Sequence, residues 1–217
     1  MLVCYVLRDS ASDPARTTKP DNVYRHYDGT ALSHYGRDHM DVNRDQYLRV
    51  TEVLYPFSGL AMVDPTVLQH AADRGTLVHK ICEGIASGLG EHGVTDETWG
   101  YVESFKRWWG KGRKVAAMET RFWDDEMCIT GQVDFILEEP EGLVICDLKT
   151  SSAPSKTWIA QGCAYAYLAK AAGYDIKGIQ FIHLNKHGKE PKIHTYEYDE
   201  DFFFAILTTY LHFFAKG

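Results

Sequence analysis

Two aspartates and a lysine fall within one stretch, GQVDFILEEPEGLVICDLKT, residues 131 to 150. Its two apolar runs flank a short acidic turn carrying Pro140 and Gly142, the pattern of a β-hairpin. Side chains two apart on a strand share a face, so Asp147 and Lys149 project together while Cys146 and Leu148 point the other way. With the hairpin closed near Glu138 to Gly142, Asp134 comes to the same end of the neighbouring strand and approaches Asp147. Two close carboxylates repel and favour a shared cation. Their acceptor-only oxygens suit a hard ion such as Mg2+ or Mn2+, which takes one or two protein carboxylates plus waters and a phosphate oxygen. Such an ion eases deprotonation of a water and screens the phosphate, and Lys149 would hold that water or steady the charge on phosphorus. These are the needs of phosphodiester hydrolysis. An isolated aspartate-x-lysine is otherwise an ordinary strand-end ion pair, so its surroundings must decide.

The elements that position these residues follow in order. Asp64 and Pro65 make a cap and first turn for the helix PTVLQHAADRGTLVHKICEGIASGLG, in which Val67, Leu68, Ala71, Leu77, Val78, Ile81 and Ile85 recur at helical intervals. A second helix, DETWGYVESFKRWWGKG, precedes three strand-like stretches, KVAAMETRFW, MCITGQVDFILEE and GLVICDLKT. The helix KTWIAQGCAYAYLAKAAGY, ended by Gly173, leads to strands IKGIQFIHLNK and KIHTYEY. A last helix starts at the cap Asp199 and is expected to bury Phe202, Phe203, Ile206, Leu207, Phe213 and Phe214. This order predicts an α/β domain with a central mixed β-sheet flanked by helices. Residues 1–45, polar and turn-rich, read as a loosely structured N-terminal arm, and residues 46–217 as the domain. His26, His34 and His39 in the arm fit no metal-site spacing.

Bulk composition excludes other classes. The 217 residues are 45% hydrophobic and 24% charged, enough apolar material for a real core. No apolar run approaches the ~18 residues of a membrane helix, so a soluble, cytoplasmic protein with no membrane partner is expected. Five scattered cysteines form neither a disulfide framework nor a zinc or iron-sulfur spacing. The formal charge of -7 does not exclude nucleic acid, because binding depends on the local field.

Gly131 three residues before Asp134, the gap from Asp134 to Asp147 that one hairpin spans, and the helix that follows at once give the triplet its context. Together they resemble the PD-(D/E)XK nuclease superfamily, and within it the RecB-type, Cas4-like and phage-exonuclease branch, over roughly residues 50 to 185. RGTLVH is similar to that branch's first motif, with His79 as a metal ligand. GQVD is similar to the second, with Asp134, and DLK to the third, with Asp147, the Leu148 carbonyl and Lys149; QGCAY resembles its glutamine-tyrosine motif. The resemblance implies a restriction-endonuclease-like core and an Mg2+- or Mn2+-dependent deoxyribonuclease, an exonuclease rather than an endonuclease. It further implies action at DNA ends or single strands in recombination, repair or phage DNA processing, beside a recombinase, helicase or single-strand-binding protein. The alternative is a catalytically silent DNA-binding module of the same fold, against which the intact Asp134, Asp147 and Lys149 speak. Cas4-like members hold an iron-sulfur cluster through four cysteines; here no cysteine follows Cys163, and no cluster is expected.

Other residues carry weaker signals. His79 can turn inward from its helix, although a histidine among apolar neighbours is otherwise a satisfied core residue. Gln161 and Tyr165, at i and i+4, share a helical face and can hydrogen-bond the surroundings of the lysine or a DNA backbone; a polar stripe on a packed helix is the alternative. Glu119, on the strand before the hairpin, is either a further site carboxylate or a surface residue. The densest basic segment, FKRWWGKGRK, offers Lys106, Arg107, Lys111, Arg113 and Lys114 to DNA phosphates, with Arg74 nearer the site. Helical spacing of Phe105, Trp108 and Trp109 already explains its aromatics as a core-facing edge.

Overall fold

Residues 44–215 are described in a computed structural model of the chain. The arm expected over residues 1–45, with its three histidines, therefore lies outside the described residues but for Arg44 and Asp45. A short strand β1 (Leu48–Arg49) and a short helix α1 (Val50–Leu54) precede the long helix α2 (Pro65–Ala86). Asp64 Oδ1 accepts the backbone N–H groups of Thr66 and Val67 at 2.8 and 3.3 Å, and Pro65, which has no N–H to leave unpaired, takes the first position. Helix α3 (Trp99–Trp109) follows, then β2 (Lys114–Asp124), β3 (Ile129–Glu139), β4 (Gly142–Lys149), α4 (Trp158–Ala171), β5 (Ile176–His183), β6 (Lys192–Tyr196) and α5 (Glu200–Phe213).

The strands form one mixed sheet, ordered β1-β3-β4-β5-β6 with β2 on the free flank of β3. Pairs β2/β3, β3/β4 and β5/β6 are antiparallel; β4/β5, joined through α4, is parallel, as is β1/β3. This is the α/β architecture with a mixed sheet and flanking helices, consistent with a restriction-endonuclease-like fold. Among the described residues no helix is long and apolar enough to cross a membrane.

Two apolar layers hold the sheet. On one face α1, α4 and α5 bury Phe122, Ile129, Val133, Ile136, Ile145, Ile179 and Phe181. On the other, α2 and α3 bring Val78, Cys82, Tyr101, Phe105 and Trp108 onto Phe135, Leu137, Cys146, Leu148 and Ile182. Helix α4 lies between the sheet and α5, so it is apolar nearly all round and rich in small residues. Gly162 lets it approach closely, because a Cβ there would collide with Ile179.

The last helix corrects one expectation. Asp199 caps it, accepting the Phe202 N–H at 3.0 Å, and Phe203 and Leu207 are buried with Ile206 half-buried. Phe202, Phe213 and Phe214 are exposed. Phe202 is a helical step away from Phe203 and turns off the packed stripe, and the stripe ends near Leu211, before the two terminal phenylalanines.

Candidate active site

Strands β3 and β4 pair in register from Glu139/Gly142 only as far as Phe135/Cys146. Beyond that row they part, and Asp134 and Asp147 stand at the mouth of the fork. The Leu148 N–H, past the end of the ladder, donates instead to Asp134 Oδ2 at 2.7 Å. In extended backbone a residue's N–H and C=O point to the same side, so the Leu148 carbonyl faces the fork too. The Lys149 carbonyl points away and accepts the Leu184 N–H at 2.8 Å.

Helix α2 supplies His79, whose Nδ1 lies 3.2 Å from Asp134 Oδ1. Burial disfavours the imidazolium, but the charge and hydrogen bond of Asp134 outweigh it and raise the His79 pKa to about 9. For Asp134 burial is likewise outweighed: His79, the Leu148 N–H and Lys149 hold its carboxyl below the usual range. Asp147, only 3% exposed, goes the other way. Burial pushes it up to about 6, with Lys149 opposing and Asp134 adding to the rise. Lys149 Nζ is 2.6 Å from Asp147 Oδ2, a close ion pair. The ammonium donates to Gln161 Oε1 at 2.9 Å, and Gln161 Nε2 donates to the Tyr165 hydroxyl at 2.9 Å. Gly131 makes room for that phenol, since a Cβ there would stand 2.8 Å from the ring.

Glu119 joins from β2 through a local break in the pleat. Met118 and Phe135 face the α3 side, and Val133 and Ile136 both pack under α4, three residues apart, so the period-two alternation slips by one in both strands at the same row. Glu119 absorbs the slip with φ +47, a conformation that non-glycine residues adopt rarely and at a cost. Glu119 and Asp134 consequently line one cleft of about 510 Å³ with His79. Burial first and Asp134 second raise the Glu119 pKa, and Gln132 Nε2 donates to Glu119 Oε2 at 2.7 Å. Gln132, Glu83, Thr76 and Lys80 also line the cleft and were not expected. Glu83 is one helical turn from His79 and Gln132 is two residues from Asp134, spacings that place each beside a residue already singled out.

Most cations of the basic segment make contacts within the fold. Lys106 pairs with Glu91 and Glu103, Arg107 donates to the Gly188 carbonyl, and Lys111 pairs with Glu190. Arg113 binds Glu139 and lies 4.0 Å from the centroid of the buried Trp108 ring. Lys114 stands opposite Glu138, at the turn end of the β3–β4 hairpin, far from Lys149. Arg74 turns toward the Tyr101 ring and Glu97, between α2 and α3.

The donors at the fork suit a hard divalent cation. Among the described residues no three His, Cys, Asp or Glu side chains converge as a closed metal cage. A hard ion of magnesium's kind needs only one or two protein carboxylates, however, and the Asp147 carboxylate beside Asp134 and the Leu148 carbonyl supplies an anionic, oxygen-rich edge. Without metal that edge is costly to the fold. A carboxyl raised from 3.8 to about 6 is destabilising when charged: its cost is absent well below 3.8, grows through that window and is full above about pH 6. In chelator, Asp147→Asn is therefore expected to stabilise the protein on the order of 2–3 kcal/mol at pH 7.5, a rise of roughly 5–10 °C in Tm, and by well under about 1 kcal/mol at pH 4. A lower Tm for the variant at pH 7.5 would show that Asp147 is a satisfied structural residue.

A mixed sheet with helices on both faces, and two aspartates and a lysine at the point where its hairpin opens, define a nuclease architecture. Residues 92–215, more than half of the chain, match the PD-(D/E)XK nuclease superfamily, and the chain belongs to it. The matched stretch holds Asp134, Asp147, Lys149, Gln161 and Tyr165, and His79 precedes it. None of the curated proteins matches the sequence. Nucleases of this superfamily generally use divalent metal ions.

Proposed function

We propose that the chain is a metal-dependent deoxyribonuclease of the RecB-type, Cas4-like and phage-exonuclease branch, acting at DNA ends. Its nuclease domain spans 46–217, behind an arm of residues 1–45. The observation that carries this reading is Lys149, half-buried and held between Asp147 and Gln161 beside a second aspartate at the fork of β3 and β4. His79, Asp134, Asp147 and the Leu148 carbonyl would hold Mg2+ or Mn2+. Such an ion, when bound, neutralises phosphate charge and makes the attacking water a better nucleophile. Lys149 brings a fixed positive charge to the reacting phosphate, and Gln161, itself oriented by Tyr165, keeps the ammonium on that side of the strand. Glu119 and Gln132 add a second anionic and polar wall.

End preference is supported by the short connections among the described residues. Reading base edges takes a helix, ribbon or loop inserted in a groove, and the β3–β4 turn is only residues 140–141 while the β5–β6 connection is only 184–191. Contacts to the backbone alone suit an enzyme that recognises an end. Such an activity serves recombination, repair or phage DNA processing, next to a helicase, recombinase or single-strand-binding protein. Linear and covalently closed circular DNA of one sequence, compared with Mg2+ or Mn2+, tests it: the linear form should disappear while the circle persists. Equal rates would mean an endonuclease, and no cleavage of either would favour a silent DNA-binding module.

A further inference from the structure

We infer that one strand of DNA runs from the cleft across the open face of the β2–β3 hairpin, with Arg121 and Arg49 on its phosphates and Trp123 against a base. This rests on the nuclease reading above. Along β3, Gln132 and Thr130 share the side of Asp134 in steps of two, Thr130 as a buried floor residue whose hydroxyl donates to the Phe122 carbonyl. Across the ladder Gln132 faces Arg121 and Thr130 faces Trp123, while β1 sets Arg49 beside Thr130 on the other flank. The rows thus pass from Glu119 and Asp134, through Arg121 and Gln132, to Trp123, Thr130 and Arg49, roughly 13 Å along the strand. The intervening residues Leu48, Phe122, Ile129 and Val133 point to the opposite face, where α1 and α4 cover them.

Among the described residues this side is cationic and carries an aromatic. Arg49 and Arg121 are exposed, and Trp123 is 40% exposed with the Arg44 guanidinium 5.2 Å from its ring centroid. Arg44 is held by Asp125 at 2.9 Å. Arg121 donates to the neutral Gln132 at 2.7 Å, and Glu52 takes the backbone N–H of Arg49 rather than its guanidinium. Among the described residues neither Arg49 nor Arg121 has an acidic ion-pair partner. Lys106, Lys111 and Arg113, by contrast, each have at least one. A chain of formal charge -7 that grips a polyanion must do so through a local positive stripe, and this stripe is continuous with the cleft. An exposed indole among guanidinium groups stacks unpaired bases without regard to sequence. The interior of a duplex has its base faces covered and gives Trp123 nothing to stack on.

The test is binding of a labelled oligonucleotide to the full chain in chelator, by fluorescence anisotropy over a salt series. Arg49→Ala with Arg121→Ala should weaken single-strand binding on the order of 10–100-fold and flatten the log–log salt slope by about 1.4. Trp123→Ala should weaken it about tenfold, with Trp123→Phe retaining most of the affinity. Lys106→Ala with Lys111→Ala should leave it unchanged. Arg49→Lys with Arg121→Lys, which keeps the charge, should bind nearly as the parent does and excludes misfolding as the cause. Parental affinity and slope in the arginine double variant overturn the path, as does a loss confined to the Lys106/Lys111 variant. A tighter-bound duplex with Trp123→Ala silent overturns the single-strand occupant. Parent protein that cleaves DNA with Mn2+ while these variants are silent sinks the path alone; parent that neither binds nor cleaves sinks the nuclease reading with it.

Discussion

Lys149→Ala is expected to lower DNA cleavage by on the order of 10³-fold while leaving DNA affinity within about threefold of the parent. The separation follows from what the ammonium touches. It sits 2.6 Å from Asp147 and 2.9 Å from Gln161, just past the last paired row of β3 and β4, where it can act on the reacting phosphate but on little of the DNA beyond it. Binding, in contrast, is spread over many backbone contacts, and losing one cation from such a set changes affinity little. The side chain also lies over the Phe181 ring, so Lys149→Met, which preserves the aliphatic packing, should show the same catalytic loss with less effect on Tm. Turnover near the parental rate in both variants would remove Lys149 from the chemistry.

Asp134→Asn should weaken Mn2+ binding by roughly 100-fold, measured by calorimetry. The carboxylate of Asp134 faces three groups at once: His79, the Leu148 N–H and the charge of Lys149. An asparagine can still accept the Leu148 N–H through its amide oxygen, so the fork keeps its shape while the anion is lost. His79 then loses the partner that raises its pKa, and its imidazole returns toward the neutral form. A parallel loss is expected for Asp147→Asn. Should both variants bind Mn2+ as the parent does, the ion sits elsewhere.

Much of this arrangement is legible in the chain because it is local. The hairpin, its two aspartates and the lysine lie within 20 residues, and β-strand periodicity alone assigns Asp147 and Lys149 to one side. The α2 and α5 caps are likewise written in single residues, Asp64 and Asp199. What sequence did not disclose depends on distant partners. The cations of FKRWWGKGRK meet Glu91, Glu139 and Glu190, acids on other elements that only the folded chain brings near. Glu119 enters the cleft through a pleat slip and a positive φ that no composition signals, and Gln132 matters because Glu119 is there. The fork itself is a tertiary feature: β4 stays paired with β5 through Lys149 while its ladder with β3 ends at Cys146, and the Leu148 N–H left over passes to a side chain.

The most direct measurement is incubation of the purified chain with linear DNA in Mg2+, Mn2+ or chelator, beside Lys149→Ala prepared in the same way. Nucleotide release that requires the divalent ion and vanishes in the variant is the expected result. Release that persists in chelator, or that Lys149→Ala performs as fast as the parent, would contradict a metal-dependent nuclease centred on the β3–β4 fork.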